Sequence, residues 1–238
     1  HRNTQLHDLD DGLLKDYDDS LKNFQKEHNL TIFHLMGQHV NYKQRYRTKQ
    51  ARFWASSYED KRPELTNAQR KMLSHYDNAT LYNDSIVAQI VKRFQKQDAI
   101  VIYVPDHGEE CYEENRGFIC RNHSAEIDWP LAHYEFEIPF WIYCSPKYIR
   151  NHRDIYRQIR KAKDKRFMTD ALPHLLLYLA GIETPTYKEE YNILSLKYDE
   201  MRPRILKNSA DYDKLRDAHL EKIKKEESKK VIKKERRN

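Results

Sequence analysis

The chain has 238 residues, 39% hydrophobic and 34% charged, with a formal net charge of +6. That is room for one large α/β domain or, as the weaker reading, two small ones, and the apolar residues fall into distinct segments, so wholesale disorder is excluded. No apolar run approaches the roughly 20 residues of a membrane-spanning helix, and no signal peptide is visible.

The charge is uneven. From Asp211 to Asn238 there are 11 Lys/Arg and 7 Asp/Glu, so +4 of the +6 lies in the tail and about +2 in the body. The body has no basic stripe with interleaved aromatics, so nucleic acid is not expected as a partner. A first residue of His rather than Met points to a processed or truncated piece. Cys111, Cys120 and Cys144 form no C-x-x-C pair, which argues against a thiolate zinc site. Cys111 and Cys120 flank one loop, where a disulfide and two thiols are equally open readings.

The polar, Asp-rich start leads into a helix over about Asp11 to Glu27. "NLTIFHLMG" reads as a short apolar strand ending at Gly37, with His34 packed inside it. A polar, aromatic-rich loop runs from Gln38 to about Glu64. Thr66 then starts a long helix, with Thr66 and Gln69 as a capping box. Met72, Tyr76, Ala79, Ile86, Ile90 and Phe94 give that helix one apolar face. The "NAT" triplet at Asn78 lies in mid-helix and reads as chance, not as a glycosylation site.

"AIVIYVP" and "IPFWIYCS" are apolar at every position rather than alternating. That pattern predicts strands covered on both faces, as in the middle of a parallel sheet. "MTDALPHLLLYLAGI" predicts a helix with Thr169 as N-cap, Pro173 in its first turns and Gly181 as its stop. The expected fold is therefore α/β, a mostly parallel central sheet with helices on both faces. Residues 1–210 form its body, and 211–238 form a basic, charged helical or disordered tail with no face to bury.

In such sheets ligands bind beyond the carboxyl ends of the strands. Asp106 and His107 stand at such an end, and a carboxylate oxygen and an imidazole nitrogen are both zinc donors. Gly108 permits the turn that brings both to one ion. Glu109 is a further ligand or an orienting partner. His39 lies just past the "LTIFHLMG" segment, and His123 lies downstream in "CRNHS". His133 is a further candidate, whereas His75 and His174 lie in helices and read as structural. Taken alone, Asp-His is more often a turn cap beside a surface histidine. The other two histidines at comparable places are what raise the metal reading.

"HLMGQHVNYKQRY", "LSHYDNATLYNDSIVAQIV", "VIYVPDHGEE" and "EFEIPFWIYCSPKY", in that order, resemble the catalytic domain of the phosphoethanolamine transferases that modify lipid A. The mobile colistin-resistance enzymes belong to that group, within the sulfatase and alkaline-phosphatase superfamily. The resemblance covers roughly Leu13 to Leu206. It implies an alkaline-phosphatase-like α/β fold, truncated at its N-terminus, and a catalytic site that binds one or two Zn2+ ions. Asp106 and His107 match the zinc-ligating pair. His39, His123 and Glu109 match groups that bind the substrate phosphate or a second metal. "YDNATLYND" matches the helix that packs behind the site. The family's threonine nucleophile has no match in this chain and belongs to strand ends upstream of it.

The resemblance further implies a phosphatidylethanolamine donor, and lipid A or another envelope glycan as acceptor. A missing N-terminal region would anchor the parent in the bacterial inner membrane, with the catalytic domain in the periplasm. Two other readings stand beside this one. The first is a sulfatase or phosphodiester hydrolase of the same superfamily. The second is a degenerate, non-catalytic domain whose basic tail touches anionic lipid. The loop from Glu110 to His133 departs from the lipid A enzymes.

Overall fold

The computed structural model describes residues 7–20, 28–122 and 126–235. The chain divides into two compact units, residues 1–99 and 100–238.

The first unit holds α1 (Asp11–Ser20) and α2 (Asn67–Phe94), joined by irregular backbone with short 3-10 turns at Tyr42–Gln44, Thr48–Gln50 and Ala55–Tyr58. The expected helix of Asp11 to Glu27 is observed to Ser20, and its last seven residues lie outside the described ones. α2 begins as the sequence predicts. The Thr66 amide donates to Gln69 Oε1 at 2.7 Å, and the Gln69 amide donates to Thr66 Oγ1 at 3.3 Å. Two of the amides that a helix start leaves without partners are thereby satisfied. The buried face of α2 includes Leu73, Ala79, Tyr82, Ile86, Val87 and Ile90. Tyr42, Tyr46 and Tyr58 from the preceding turns complete this core, as do Leu13 and Leu14 of α1.

The polar residues in the middle of α2 serve the unit itself. Asn78 is 3% exposed. Its Oδ1 accepts from the amides of Arg52 and Phe53, and its Nδ2 donates to the carbonyls of Phe53 and Ser74. With both amide hydrogens engaged and the group buried, the "NAT" triplet offers no glycosylation acceptor. Asp77 accepts from the Tyr58 hydroxyl. That contact, with burial as the larger cause, drives the Tyr58 pKa far up.

The strand expected over "NLTIFHLMG" does not form. Only a single bridge residue, His34, occurs there, and His34 is exposed rather than packed. Leu30 and Ile32 are 81% and 67% exposed. Apolar composition permitted a strand, but among the described residues of this unit there is no strand to extend the pairing beyond that bridge. The segment is fastened at its far end instead, where the amides of Met36 and Gly37 donate to the buried Asp10 carboxylate at 3.0 and 2.9 Å.

The second unit begins with β1 (Ile100–Tyr103). Next come β2 (Glu110–Cys111), β3 (Phe118–Cys120), α3 (Trp129–Leu131) with a π-helical turn over Ala132–Phe136, and β4 (Trp141–Cys144). Then follow α4 (Pro146–Asn151), α5 (Arg153–Ala162), α6 (Leu172–Leu179), β5 (Ile205–Leu206), β6 (Ala210–Asp211) and α7 (Tyr212–Glu235). The expected parallel sheet is overturned. Among the described residues the strands form three two-stranded antiparallel sheets, β1–β4, β2–β3 and β5–β6, and helix far outweighs strand. β1 and β4 pair with Ile100 opposite Cys144 and Tyr103 opposite Trp141. An unbroken apolar run reports that both faces of a strand are covered; it does not report strand direction. The 37 residues between β1 and β4 reverse the chain without a crossover helix.

α6 is preceded by a 3-10 turn, Thr169–Ala171, and Thr169 is its first residue rather than a side-chain cap. Pro173 lies in the first turn of α6. Gly181 (φ +65°) ends the helix, with the Ile182 amide bonded to the Leu177 carbonyl and the Gly181 amide to the Tyr178 carbonyl. This is the double bond pattern of a glycine stop. One core of the unit gathers Ala162, Leu175, Ile193 and Leu194. A second gathers Ile127, Leu131, Ala132, Leu206 and Tyr212. The charged tail is helical as α7, and its first residue, Tyr212, is buried. No described helix is long and apolar enough to cross a membrane.

Candidate functional site

β1 ends at Tyr103, and the chain leaves it through Val104 and Pro105 into Asp106. Asp106 is exposed along 88% of its side chain and His107 along 21%; Asp106 Oδ1 lies 3.7 Å from His107 Nε2. The same oxygen accepts from the His107 amide at 3.1 Å, which orients the carboxylate towards the ring.

The histidine's tautomer follows from its neighbours. Nδ1 lies 2.7 Å from the Gly108 carbonyl, an acceptor only, so Nδ1 carries the proton. Nε2 lies 2.6 Å from Arg121 Nη1, a donor only, so Nε2 presents its lone pair. A neutral imidazole with Nδ1–H on a backbone carbonyl and a lone pair on Nε2 is the form that ligates zinc. The Asp106–His107 pair therefore fits a metal as two donors. Among the described residues, no group of three or more His, Cys, Asp or Glu converges to hold an ion.

Gly108 is required here for a reason other than the one the sequence suggests. Its φ is not in the left-handed region, but a Cβ on it would lie 2.1 Å from the Tyr134 carbonyl oxygen. Its amide donates to the Glu135 carbonyl at 2.8 Å. The backbone after His107 thus lies flat against the π-helical turn, and any side chain would force the two apart. Glu135 is 3% exposed. Its carboxylate accepts from the Asn122 amide at 2.7 Å. One residue therefore fastens both the Gly108 strand end and the segment carrying Arg121.

The β2–β3 hairpin between them is braced by charge. Glu110 is fully buried and accepts from Arg116 Nε at 2.9 Å, while Arg116 Nη1 donates to Asp128 at 2.6 Å. Burial raises the Glu110 pKa, and Arg116 opposes that rise. The Asp128 side chain also caps α3, accepting from the Leu131 amide at 3.0 Å.

Of the other sequence candidates, Glu109 is partly buried, and the Cys120 thiol donates to its Oε1 at 3.9 Å. His39 lies in the first unit, exposed, with Nδ1 2.5 Å from the Val40 carbonyl and its own carbonyl held by Arg45 Nε at 2.8 Å. His123 lies outside the described residues. His133 stacks on Trp129 and pairs with Glu137 at 3.0 Å. His75 bonds the Tyr46 hydroxyl at 2.9 Å, and His174 accepts from the Lys188 amide at 3.1 Å, consistent with structural roles. Cys111 and Cys120 are thiols. Glu110, not Cys111, is opposite Cys120, and successive strand residues face opposite ways, so the two sulfurs are not set for a bridge.

Sequence reasoning missed Arg121, Arg116 and Glu135. Nothing in their spacing marks them, because each acts on a partner 6 to 14 residues away across an irregular loop.

The Sulfatase family profile matches residues 2–182. The phosphoethanolamine transferase EptC of Escherichia coli is 30% identical over 202 residues, covering 84% of this chain and 33% of its own length. The Kdo(2)-lipid A phosphoethanolamine 7''-transferase of Escherichia coli is 32% identical over 162 residues, covering 66% of this chain and 27% of its own. The chain thus spans about a third of the length of the curated relatives it matches. The crystal structure of the C-terminal periplasmic domain of Escherichia coli EptC superposes with a TM-score of 0.72 at 28% identity, over 90% of this chain and 60% of that one. A zinc complex of the same domain gives 0.71 at 27% identity, with the same shares of the two chains. By profile, sequence and fold, the chain belongs to the sulfatase family, in its phosphoethanolamine-transferase-like branch.

Proposed function

We propose that this chain carries the Asp-His metal-ligand pair of a phosphoethanolamine-transferase-type site, and that its described residues form half of that site rather than a self-sufficient catalyst. The observation that carries the reading is the placement of the His107 ring, with Nδ1 2.7 Å from the Gly108 carbonyl and Nε2 3.7 Å from the Asp106 carboxylate. Two donors hold zinc weakly, whereas a catalytic zinc has three protein ligands and an open position. The zinc complex of the related EptC domain supports the choice of metal.

Asp106 and His107 would hold the zinc, which would supply charge neutralisation at a phosphoryl group and a lowered pKa for a hydroxyl nucleophile. Four of the described threonines have their hydroxyls engaged within the fold. Thr66 caps α2, Thr80 donates to the Tyr76 carbonyl, and Thr184 and Thr186 bond each other. In the complete site, His39, His123 and Glu109 would hold phosphoryl oxygens or a second zinc. The donor would be phosphatidylethanolamine and the acceptor lipid A or another envelope glycan, at the periplasmic face of a bacterial inner membrane. Residues 1–210 would be the catalytic portion, and 211–238 a solvated charged extension.

The test is to incubate the chain with zinc and phosphatidylethanolamine vesicles, and to measure bound zinc and released diacylglycerol. The half-site reading predicts zinc bound weakly, lost in Asp106→Ala and His107→Ala, with no diacylglycerol released. Steady release that depends on His107 would overturn it in favour of a complete transferase. Zinc binding indifferent to both substitutions would remove the site altogether.

A further inference from the structure

We propose that Arg121 is a built-in competitor for the metal position on His107. The inference rests on the metal reading above. Nε2 has one lone pair and serves one cation at a time. Arg121 Nη1 lies 2.6 Å from Nε2, at hydrogen-bond distance from the atom a metal ion would need. A charge-assisted contact of this kind is stronger than a neutral hydrogen bond. Zinc entry therefore requires Arg121 to withdraw, and Arg121 returns when zinc leaves.

The contact is built into the fold. His107 is mostly buried, and its other nitrogen is fixed on the Gly108 carbonyl. The segment carrying Arg121 is fastened by the Asn122 amide to the buried Glu135 carboxylate, and the same residue's carbonyl holds the Gly108 amide. Both partners of the Arg121–His107 contact are thus referred to one buried residue, Glu135. The guanidinium also keeps the imidazole in the tautomer that zinc requires, so the capped state is ready to load.

The test is the zinc dissociation constant of the full chain, measured by competition with a chromophoric chelator, for the parent, Arg121→Ala, Arg121→Gln and His107→Ala. Arg121→Gln keeps length and an N–H donor without the charge, and serves if the alanine variant folds poorly. Loss of one hydrogen bond to a charged group predicts about tenfold tighter zinc binding in Arg121→Ala, a smaller gain in Arg121→Gln, and loss of binding in His107→Ala. The 15N shift of His107 Nε2 in the zinc-free protein should move in Arg121→Ala. If His107→Ala abolishes binding but neither Arg121 variant binds zinc more tightly, Arg121 is no competitor, and the metal reading stands without it. If His107→Ala binds zinc like the parent, the metal reading fails and takes this inference with it.

Discussion

Gly108→Ala tests the geometry of the strand end. A Cβ at residue 108 would sit 2.1 Å from the Tyr134 carbonyl oxygen, 3.2 Å from its carbon and 3.4 Å from the Glu135 Cα. The obstacle is backbone, so no rotamer relieves it. The shortfall from ordinary contact exceeds an ångström. Either the π-helical turn or the Asp106–His107 loop must move, and the 2.8 Å bond from the Gly108 amide to the Glu135 carbonyl stretches or breaks. Overpacking of this kind costs about 1–3 kcal/mol, and the lost hydrogen bond adds about 1 kcal/mol. The expected destabilisation is about 3 kcal/mol, which for a chain of this size lowers Tm by roughly 6–12 °C. Displacement of the loop should also weaken zinc binding at His107. The assay is thermal unfolding by circular dichroism, with zinc titration of the folded variant at low temperature. An unchanged Tm together with unchanged zinc affinity would refute the argument that close approach is why residue 108 is glycine.

Arg116→Ala leaves the Glu110 carboxylate buried without its counter-charge. The cost should be about 2–3 kcal/mol at neutral pH, below that of a fully buried pair because Arg116 is partly exposed. Burial holds the Glu110 pKa above its unfolded value, and removing Arg116 takes away the opposing effect. The folded variant then binds the proton more tightly than the unfolded chain, so its deficit is full above the folded pKa and shrinks as pH falls towards about 4.5. Urea unfolding across pH reads this, and a deficit that grows on acidification would contradict it. Asn78→Ala strands the amides of Arg52 and Phe53 and should cost about 2–3 kcal/mol, measurable in the same way. Thr66→Ala should cost about 1 kcal/mol. Adding Gln69→Ala should cost less than the sum of the two single changes, because each serves the same capping box.

Local signals were legible where one physical cause decides the outcome. The Thr66–Gln69 box and the Gly181 stop depend only on nearby residues, and both form as the sequence predicts. Asp106 and His107 follow an apolar strand and lie within 3.7 Å of each other because they are adjacent in the chain. Strand direction was not legible, since "IVIY" and "WIYC" would be equally apolar in a parallel or an antiparallel pair. The "LTIFHLMG" segment has the composition of a strand, but pairing is a property of neighbours that composition does not report. Gly108 was identified for the wrong reason: the turn does not need a positive φ, and the constraint is the Tyr134 carbonyl, 26 positions along the chain. Arg121 and Glu135 were invisible because their work is done by tertiary placement, not by spacing.

The central claim is that Asp106 and His107 together present a zinc-binding pair. Zinc-edge X-ray absorption on the zinc-loaded chain tests it most directly. The account predicts a nitrogen and oxygen shell near 2.0–2.2 Å with the outer scattering of an imidazole, and loss of that imidazole signature in His107→Ala. An identical spectrum from His107→Ala would contradict it.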